Sequence, residues 1–125
     1  MLLGAACAVA IALAGCASDD AGPADGSSSA ATAGGVTVSM GEYFYRPERV
    51  TVRVGEPVTF VNDGRIEHTV ADTGPGGAIR SALIKPRPLA HGQRQVVVFT
   101  KAGLVRYLCT FHPTLMAGEI MVSAR

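Results

Sequence analysis

The sequence predicts an all-β fold over residues 36–125, a two-sheet Greek-key β-sandwich with seven or eight strands. From Val36 onward, apolar and polar residues alternate with a period of two, and β-branched residues fill many of the apolar positions. Gly and Pro separate the alternating runs, and no run has the 3.6-residue apolar stripe of an amphipathic helix. Short alternating strands divided by turns, repeated through one small domain, are typical of a β-sandwich.

The alternating runs also locate the individual strands. The predicted strands are VTVSM (Val36–Met40), VTVRV (Val50–Val54), PVTFVN (Pro57–Asn62), HTVA (His68–Ala71), QVVVFT (Gln95–Thr100), VRYLCT (Val105–Thr110) and GEIMVS (Gly118–Ser123). Turns are expected at Gly55-Glu56, Asp63-Gly64 and Ala102-Gly103. In the last strand, Met121 is interpreted as a core residue.

Between Asp72 and Gln93 the alternation gives way to Gly, Pro and basic residues, which predicts a long loop. Within it, Ala78–Ile84 is expected to form a short helical turn or an edge strand. Pro86 and Pro88 rule out a long helix there.

The residues before this domain have a different composition. Leu2–Ala14 is almost wholly apolar and too short for a permanent membrane-spanning helix, which predicts a signal peptide over residues 1–15. Leu13-Ala14-Gly15-Cys16 resembles the lipobox of bacterial lipoproteins, and the resemblance implies cleavage before Cys16 and acylation of its thiol. Residues 16–35 are rich in Ser, Ala, Gly and Asp, which predicts a flexible tether.

The leader therefore predicts an exported protein, anchored by lipid at Cys16 to the outer face of the cytoplasmic membrane or located in the periplasm. Plain secretion with a free Cys16 is the alternative. Met1-Leu2-Leu3 lacks the positive charge with which signal peptides begin, so we expect the true start upstream of Met1, with inefficient export as the alternative. Cleavage before Cys16 would leave Cys109 as the domain's single cysteine, unable to form an internal disulfide.

Charge excludes one class of partner and favours another. The net charge of +1 gives no indication of nucleic-acid binding, and a chain of this length is expected to form one domain, as a monomer. However, Thr73–Gly118 contains six basic residues and no acidic residue. An ordinary solvated surface explains each of them singly; together they suggest a surface for an acidic partner.

Four side chains form a candidate metal site. Cys109, His112 and Met116 lie on one short loop after a predicted strand, and His68 begins a strand after the turn that follows Asn62. Taken singly, His68 could be a core histidine, Cys109 a small buried hydrophobe and Met116 core filler. His91 is interpreted as a surface residue in a turn.

Taken together, one thiolate, two imidazoles and one thioether favour copper over zinc. Zinc prefers four strong ligands and seldom accepts methionine, whereas this set is that of a mononuclear blue copper site. The loop can aim its side chains at one point, and the sandwich can present His68 at the same end. The sequence therefore predicts one copper ion bound to His68, Cys109, His112 and Met116.

Val36–Val122 resembles the small blue copper proteins, the cupredoxins, especially the amicyanin and plastocyanin-like group. The resemblance is carried by FYRPERVTVRVGEPVTFVNDGRIEHTV and by KAGLVRYLCTFHPTLMAG, which contains the Cys-x-x-His and Met-x-Gly of the ligand loop. By position it implies the same four copper ligands. It also implies that the second histidine, His112, lies near the surface in an apolar patch and is the exit for electrons.

The ligand loop departs from the nearest members of that group. Three residues separate His112 from Met116, where amicyanin-like loops have two and plastocyanin-like loops four. Phe111 stands where those loops commonly have Pro, and it can offer an N–H to the Cys109 sulfur. The Thr69 N–H is a second candidate donor. Because such bonds favour the reduced metal, we expect a higher reduction potential than in a Phe111→Pro variant.

These observations predict a membrane-tethered carrier of single electrons between redox partners outside the cytoplasm, docking transiently. A copper-binding or copper-delivery lipoprotein is the alternative, since it can use the same ligands. A nitrite reductase or multicopper oxidase needs further paired histidines, and only His91 remains unassigned. A Cys–His hydrolase lacks a third orienting group, so the sequence does not favour an enzyme.

Overall fold

The computed structural model describes residues 34–125, which form a two-sheet β-sandwich of eight strands. The signal peptide, the lipid site at Cys16 and most of the tether lie outside the described residues. The strands are β1 (Val36–Gly41), β2 (Phe44–Arg46), β3 (Arg49–Arg53), β4 (Pro57–Asn62), β5 (Ala71–Thr73), β6 (Arg94–Val98), β7 (Gly103–Leu108) and β8 (Ala117–Ser123). The predicted fold class is confirmed.

Each sheet has four strands, in the orders β2-β1-β4-β6 and β3-β8-β7-β5. The chain makes one hairpin in each sheet, β1–β2 and β7–β8, and every other connection crosses between the sheets. β1 runs parallel to β4, and β3 runs parallel to β8, so both sheets are mixed. Among residues 34–125, no helix is long and apolar enough to cross a membrane.

The strand directions give the sandwich two distinct ends. β1 and β4 run upward in parallel to Gly41 and Asn62, and β7 ends beside them at Leu108, directly before Cys109. We call this the metal end. The opposite end, which we call the far end, holds the first residues of β1 and the last residues of β3 and β8.

Alternate residues of both sheets fill the core between them. The fully buried side chains include Val38, Val52, Val58, Phe60 and Ile120, all at positions that the period of two assigned to the interior. An aromatic cluster joins the sheets at the metal end, where the Tyr45 and Tyr107 rings meet edge to face with centroids 4.8 Å apart. Phe60 lies beside both rings, 6.2 Å from Tyr45 and 5.3 Å from Tyr107.

The structure corrects the interpretation of Met121 as a core residue. Its side chain is 46% exposed, because Ile120 and Val122 on either side face the interior and leave Met121 on the outer face. There it lies opposite Leu104 of β7.

The strand bounds also differ in detail from the prediction. β2 was not predicted, since three residues are too few to show a period. His68 does not begin a strand: it forms an isolated bridge to Leu89, and β5 begins at Ala71. Residues 78–84 form neither a helix nor a strand, but Ile79 bridges to Thr73 and Ile84 is buried.

The long loop is fixed to the sandwich by a buried carboxylate. Asp72 Oδ1 accepts hydrogen bonds from the N–H groups of Leu83 at 2.9 Å and Ile84 at 2.7 Å. Its carbonyl oxygen accepts the N–H of Arg80 at 2.9 Å. The two bonds to Oδ1 satisfy a polar group that would otherwise be costly to bury, and all three bonds order the loop.

Gly118 is expected to tolerate no side chain. It lies opposite Tyr107 in the β7–β8 pair, and a Cβ there would overlap the Tyr107 hydroxyl and approach the Glu48 carbonyl oxygen to 2.8 Å. Overpacking of this kind predicts that Gly118→Ala lowers the free energy of unfolding by about 1–3 kcal/mol. Urea denaturation of the metal-free protein measures it.

Gly34→Ala is the control, because a Cβ at Gly34 meets nothing within 4 Å. Equal stability of the two alanine variants would show that the Tyr107 ring has room to move, contrary to this prediction.

Candidate metal centre

His68 reaches the metal end on the segment that follows β4, and Asn62 shapes that segment. The Asn62 side-chain amide donates to the carbonyl oxygens of Leu89 at 2.6 Å and Ile66 at 2.8 Å, and its oxygen accepts the Gly64 N–H at 2.8 Å. Two backbone bonds between His68 and Leu89, of 3.2 Å and 2.9 Å, then fix the histidine's own backbone. The His68 side chain is fully buried.

Cys109, His112 and Met116 lie on the loop between β7 and β8. The Met116 carbonyl accepts the Cys109 N–H at 3.0 Å and closes the loop. Inside it, the Cys109 carbonyl accepts the His112 N–H at 3.2 Å, and the His112 carbonyl accepts the Met116 N–H at 3.0 Å. Cys109 and Met116 are buried, whereas His112 is half-buried.

The two segments bring three predicted ligands together. The Cys109 Sγ lies 3.9 Å from His68 Nδ1 and 3.7 Å from His112 Nδ1. All three atoms lie within 4.8 Å of one another. The structure places Met116 in the same buried core, on the same loop. His91 is exposed and lies apart from the cluster, with Nδ1 2.8 Å from the Gly64 carbonyl oxygen.

This cluster fits one copper ion. First-row metal ions bind nitrogen and sulfur at about 2.0–2.3 Å, so two atoms on one ion lie at most roughly 4.5 Å apart. The two Sγ to Nδ1 distances, 3.9 Å and 3.7 Å, lie within that limit. A thiolate with two imidazoles is the donor set that suits copper.

Thr69 joins the two segments that carry the cluster. Its N–H donates to the Cys109 Sγ at 3.4 Å, and its hydroxyl oxygen lies 3.7 Å from the same sulfur. The Thr69 hydroxyl oxygen also accepts the Thr110 N–H at 2.8 Å and lies 2.7 Å from the Thr110 hydroxyl. Tyr45 fixes Thr69 from the other sheet, donating its hydroxyl to the Thr69 carbonyl at 2.7 Å.

Sequence reasoning proposed the Thr69 N–H but missed its hydroxyl, Thr110 and Tyr45. The one available signal was position, since Thr69 and Thr110 each directly follow a predicted ligand. Tyr45 carried no such signal, because only the pairing of the sheets brings it to Thr69.

The expected bond from Phe111 to the sulfur is not formed. Among residues 34–125, the backbone N–H that donates to Cys109 Sγ belongs to Thr69. The loop turns back tightly enough for His112 to bond the Cys109 carbonyl, which leaves the Phe111 side chain half-exposed. The reason given for a lower potential in Phe111→Pro is therefore wrong, and Thr69 takes that role.

The surroundings keep His68 available as a ligand. Burial lowers the pKa of His68 below its usual range, the nearby His112 lowers it further, and Glu42 opposes the shift. A lowered pKa keeps the imidazole neutral at neutral pH, and a neutral imidazole is the form that binds metal. The pKa of Glu42 is lowered chiefly by the hydrogen bond from the Arg65 backbone.

Exposed apolar side chains surround the half-buried His112. Tyr43 meets its ring edge to face with centroids 4.8 Å apart, and Phe44, Phe111 and Leu115 lie exposed nearby on the hairpin and loop. Phe44 and Leu115 line one surface groove together with Tyr43. The metal end therefore presents one histidine edge within an apolar surface.

Removing the Thr69 hydroxyl is expected to destabilise the site. Thr69→Val keeps the shape but leaves the Thr110 N–H without its acceptor, and an unpaired buried or part-buried donor costs about 1–3 kcal/mol. The free energy of unfolding of the metal-free protein should fall by that amount. Thr69→Ser keeps the hydroxyl and is the control; a valine variant as stable as the serine variant would contradict the role assigned to this bond.

Comparison with known proteins agrees with the site. The family described as copper-binding proteins of the plastocyanin/azurin family matches residues 32–123. Amicyanin from Paracoccus denitrificans is 30% identical over 89 residues, which cover 71% of this chain and 66% of that protein. The chain thus spans slightly less than two thirds of that amicyanin's length.

Solved structures give the same result. A purple cupredoxin from Nitrosopumilus maritimus has a TM-score of 0.66 and 29% identity, covering 70% of this chain and 99% of that one. A copper-containing nitrite reductase from Thermus scotoductus has a TM-score of 0.57 and 30% identity, but the match covers 71% of this chain and only 22% of the enzyme. With the eight-stranded sandwich and the His/Cys/His cluster, the match over residues 32–123 shows that the chain belongs to the plastocyanin/azurin family of copper-binding proteins, the cupredoxins.

Proposed function

We propose that this protein is a mononuclear blue copper protein that carries single electrons between redox partners outside the cytoplasm. In this proposal the copper ligands are His68, Cys109, His112 and Met116. The observation that carries it is the convergence of one thiol and two imidazoles within 4.8 Å, with one imidazole reaching the surface.

The four ligands divide by strength. The Cys109 thiolate and the two Nδ1 atoms would supply the strong donors, and the buried Met116 would supply a weak thioether donor of the kind that blue copper sites use. Copper bound there supplies a reversible one-electron couple. The short spacing from His112 to Met116 suits this assignment. It allows the Met116 carbonyl to accept the Cys109 N–H, which closes the loop.

The hydrogen bonds around the sulfur support a carrier role. The Thr69 N–H withdraws electron density from the Cys109 sulfur, which favours the reduced state. The same threonine ties together the two segments that hold the ligands, so the site keeps one geometry. A donor arrangement that does not move when the metal charge changes is what rapid electron transfer needs.

The surface around His112 supports brief docking. A half-buried histidine among exposed Tyr43, Phe44, Phe111 and Leu115 offers an electron exit within an apolar patch. Small apolar contacts of this kind give weak, transient complexes, as electron carriers require.

A basic surface that includes Arg94 at the metal end supports an acidic partner. Arg80, Lys85, Arg87 and Arg94 are all exposed, and none forms a salt bridge within residues 34–125. Arg94 pairs with Val61 at the upper end of β4, next to the Asn62 that shapes the His68 segment. Charge placed there would steer an acidic protein toward the electron exit.

We also propose that the protein is exported and anchored by lipid at Cys16, with residues 16–35 as the tether. The apolar run Leu2–Ala14 and the lipobox-like Leu13–Cys16 support this.

Two other functions compete with electron carriage, and each would give the copper-loaded protein different properties. A copper-delivery protein would lose its metal on reduction, whereas a carrier retains it through repeated cycles. An enzyme of the nitrite reductase type is not favoured, since the single remaining histidine, His91, lies apart from the metal cluster.

Copper-loaded protein is expected to show the intense visible absorption of thiolate-to-copper charge transfer, and Cys109→Ser is expected to lose it. Met121→Leu is the control, because Met121 lies on the outer face away from the cluster. Optical spectroscopy during copper titration measures both. A colourless wild-type holoprotein would refute the blue copper assignment.

The rate of electron transfer to an anionic reagent such as hexacyanoferrate is expected to fall several-fold as ionic strength rises to about 0.15 M, because salt screens the basic surface. Replacing Arg80, Lys85, Arg87 and Arg94 by Gln should remove most of that dependence. Arg53→Gln, at the far end, is the control and should leave it unchanged. Salt-independent rates in the wild type would eliminate steering by this surface.

A further inference from the structure

The β1–β2 hairpin turns through a residue that is poorly suited to its backbone. Its two turn residues are Glu42 and Tyr43, between the paired Gly41 and Phe44. Tyr43 has a φ of 68°, in the left-handed region, and Glu42 does not. A two-residue turn with positive φ at its second position ordinarily takes Gly or Asn there.

Burial does not explain why a tyrosine occupies this position. The Tyr43 side chain is 48% exposed, so it recovers little of the free energy that its backbone conformation costs. The hairpin already contains another aromatic residue, Phe44. Its ring lies against Gly41, and the guanidinium carbon of Arg46 lies 4.9 Å from the ring centroid. Glycine at position 43 would adopt the positive φ of this turn with less strain than tyrosine.

The contact that Tyr43 does make is with the His112 ring. The two rings meet at 83° with centroids 4.8 Å apart, the edge-to-face arrangement that aromatic pairs favour. The His68 ring also lies near His112, with centroids 5.5 Å apart, and the Cys109 sulfur lies 3.7 Å from Nδ1. Tyr43 therefore adds a ring from outside the proposed ligand set to the surroundings of the imidazole.

His112 is the least restrained arm of the metal centre. His68 is fully buried, and Cys109 is buried and bonded to Thr69, whereas His112 is half-buried on a loop. Within residues 34–125, its ring nitrogens form no hydrogen bond beyond the 3.7 Å contact of Nδ1 with the Cys109 sulfur. Ring packing is thus the main restraint on its orientation.

We propose that Tyr43 is a positioning residue for His112: its ring, held over the imidazole by a strained hairpin turn, keeps Nδ1 directed at the Cys109 sulfur. The proposal extends the proposed function, in which His112 is both a ligand and the electron exit. An imidazole held in one orientation needs no rearrangement when an electron is transferred. The strained turn therefore contributes to electron transfer rather than to the stability of the fold.

Three variants separate this role from a purely structural one. Tyr43→Gly removes the ring and suits the positive φ, whereas Tyr43→Phe keeps the ring and removes the hydroxyl. Ser81→Gly is the matched control, because Ser81 is the other non-glycine residue of the described chain with positive φ, at 52°, and it lies in the long loop. Both glycine variants should unfold at or above the wild-type temperature.

The deciding measurement is NMR of the His112 ring in metal-free and Cu(I) protein at one fixed pH. Wild type, Tyr43→Phe and Ser81→Gly should all show an ordered ring with nuclear Overhauser contacts to residue 43. Tyr43→Gly should lose that order. In copper-loaded protein, only Tyr43→Gly should show a changed copper spectrum and electron self-exchange slowed several-fold.

An ordered His112 ring and wild-type self-exchange in Tyr43→Gly would overturn the proposal, as would loss of ring order in Tyr43→Phe. The metal-free NMR result does not depend on electron carriage. If the protein proved to deliver copper instead, the ring-order test would still decide whether Tyr43 positions His112.

Discussion

The metal centre depends on the junction between Thr69 and the end of β7. His68 and Cys109 lie on different segments, forty-one positions apart in the chain, and the strand pairing nearest to them joins Ala71 to Leu108. The Thr69 N–H and hydroxyl connect them, through contacts with the Cys109 sulfur and with the N–H and hydroxyl of Thr110. Together with the pairing of Ala71 and Leu108, this junction sets the separation of the thiol and the buried imidazole.

The core beneath the junction makes it stiff. Tyr45 comes from the opposite sheet and bonds the Thr69 carbonyl, and its ring packs against Tyr107, which lies two residues before Cys109. One aromatic cluster thus supports both segments from below. Close-packed aromatic rings resist displacement, so a change of charge at the sulfur meets a scaffold with little freedom to respond.

The sequence was sufficient to predict the sandwich, because a period of two is visible within a single strand. It also predicted the approach of His68, Cys109 and His112, from the spacing of the last two on one loop and from the place of His68 at the same end of the predicted sandwich. Two details were predicted wrongly. Met121 faces outward because Ile120 and Val122 on either side face the interior, as a strict period of two requires. The backbone donor to the sulfur is Thr69 rather than Phe111, and this depends on how the loop turns, which cannot be read from neighbouring residues.

The direction of β1 has a consequence for how the domain can be held. Val36 pairs with Val58 at the far end, and the strand then rises over six residues, about 20 Å, toward the metal end. β8 descends the other way and finishes at Ser123, also at the far end. A chemical linkage attached next to Val36 or next to Ser123 therefore leaves the domain at the far end, opposite the exposed edge of His112. Immobilised on an electrode through such a linkage, the molecule would stand with its redox centre toward solution, accessible to a diffusing partner and distant from the support.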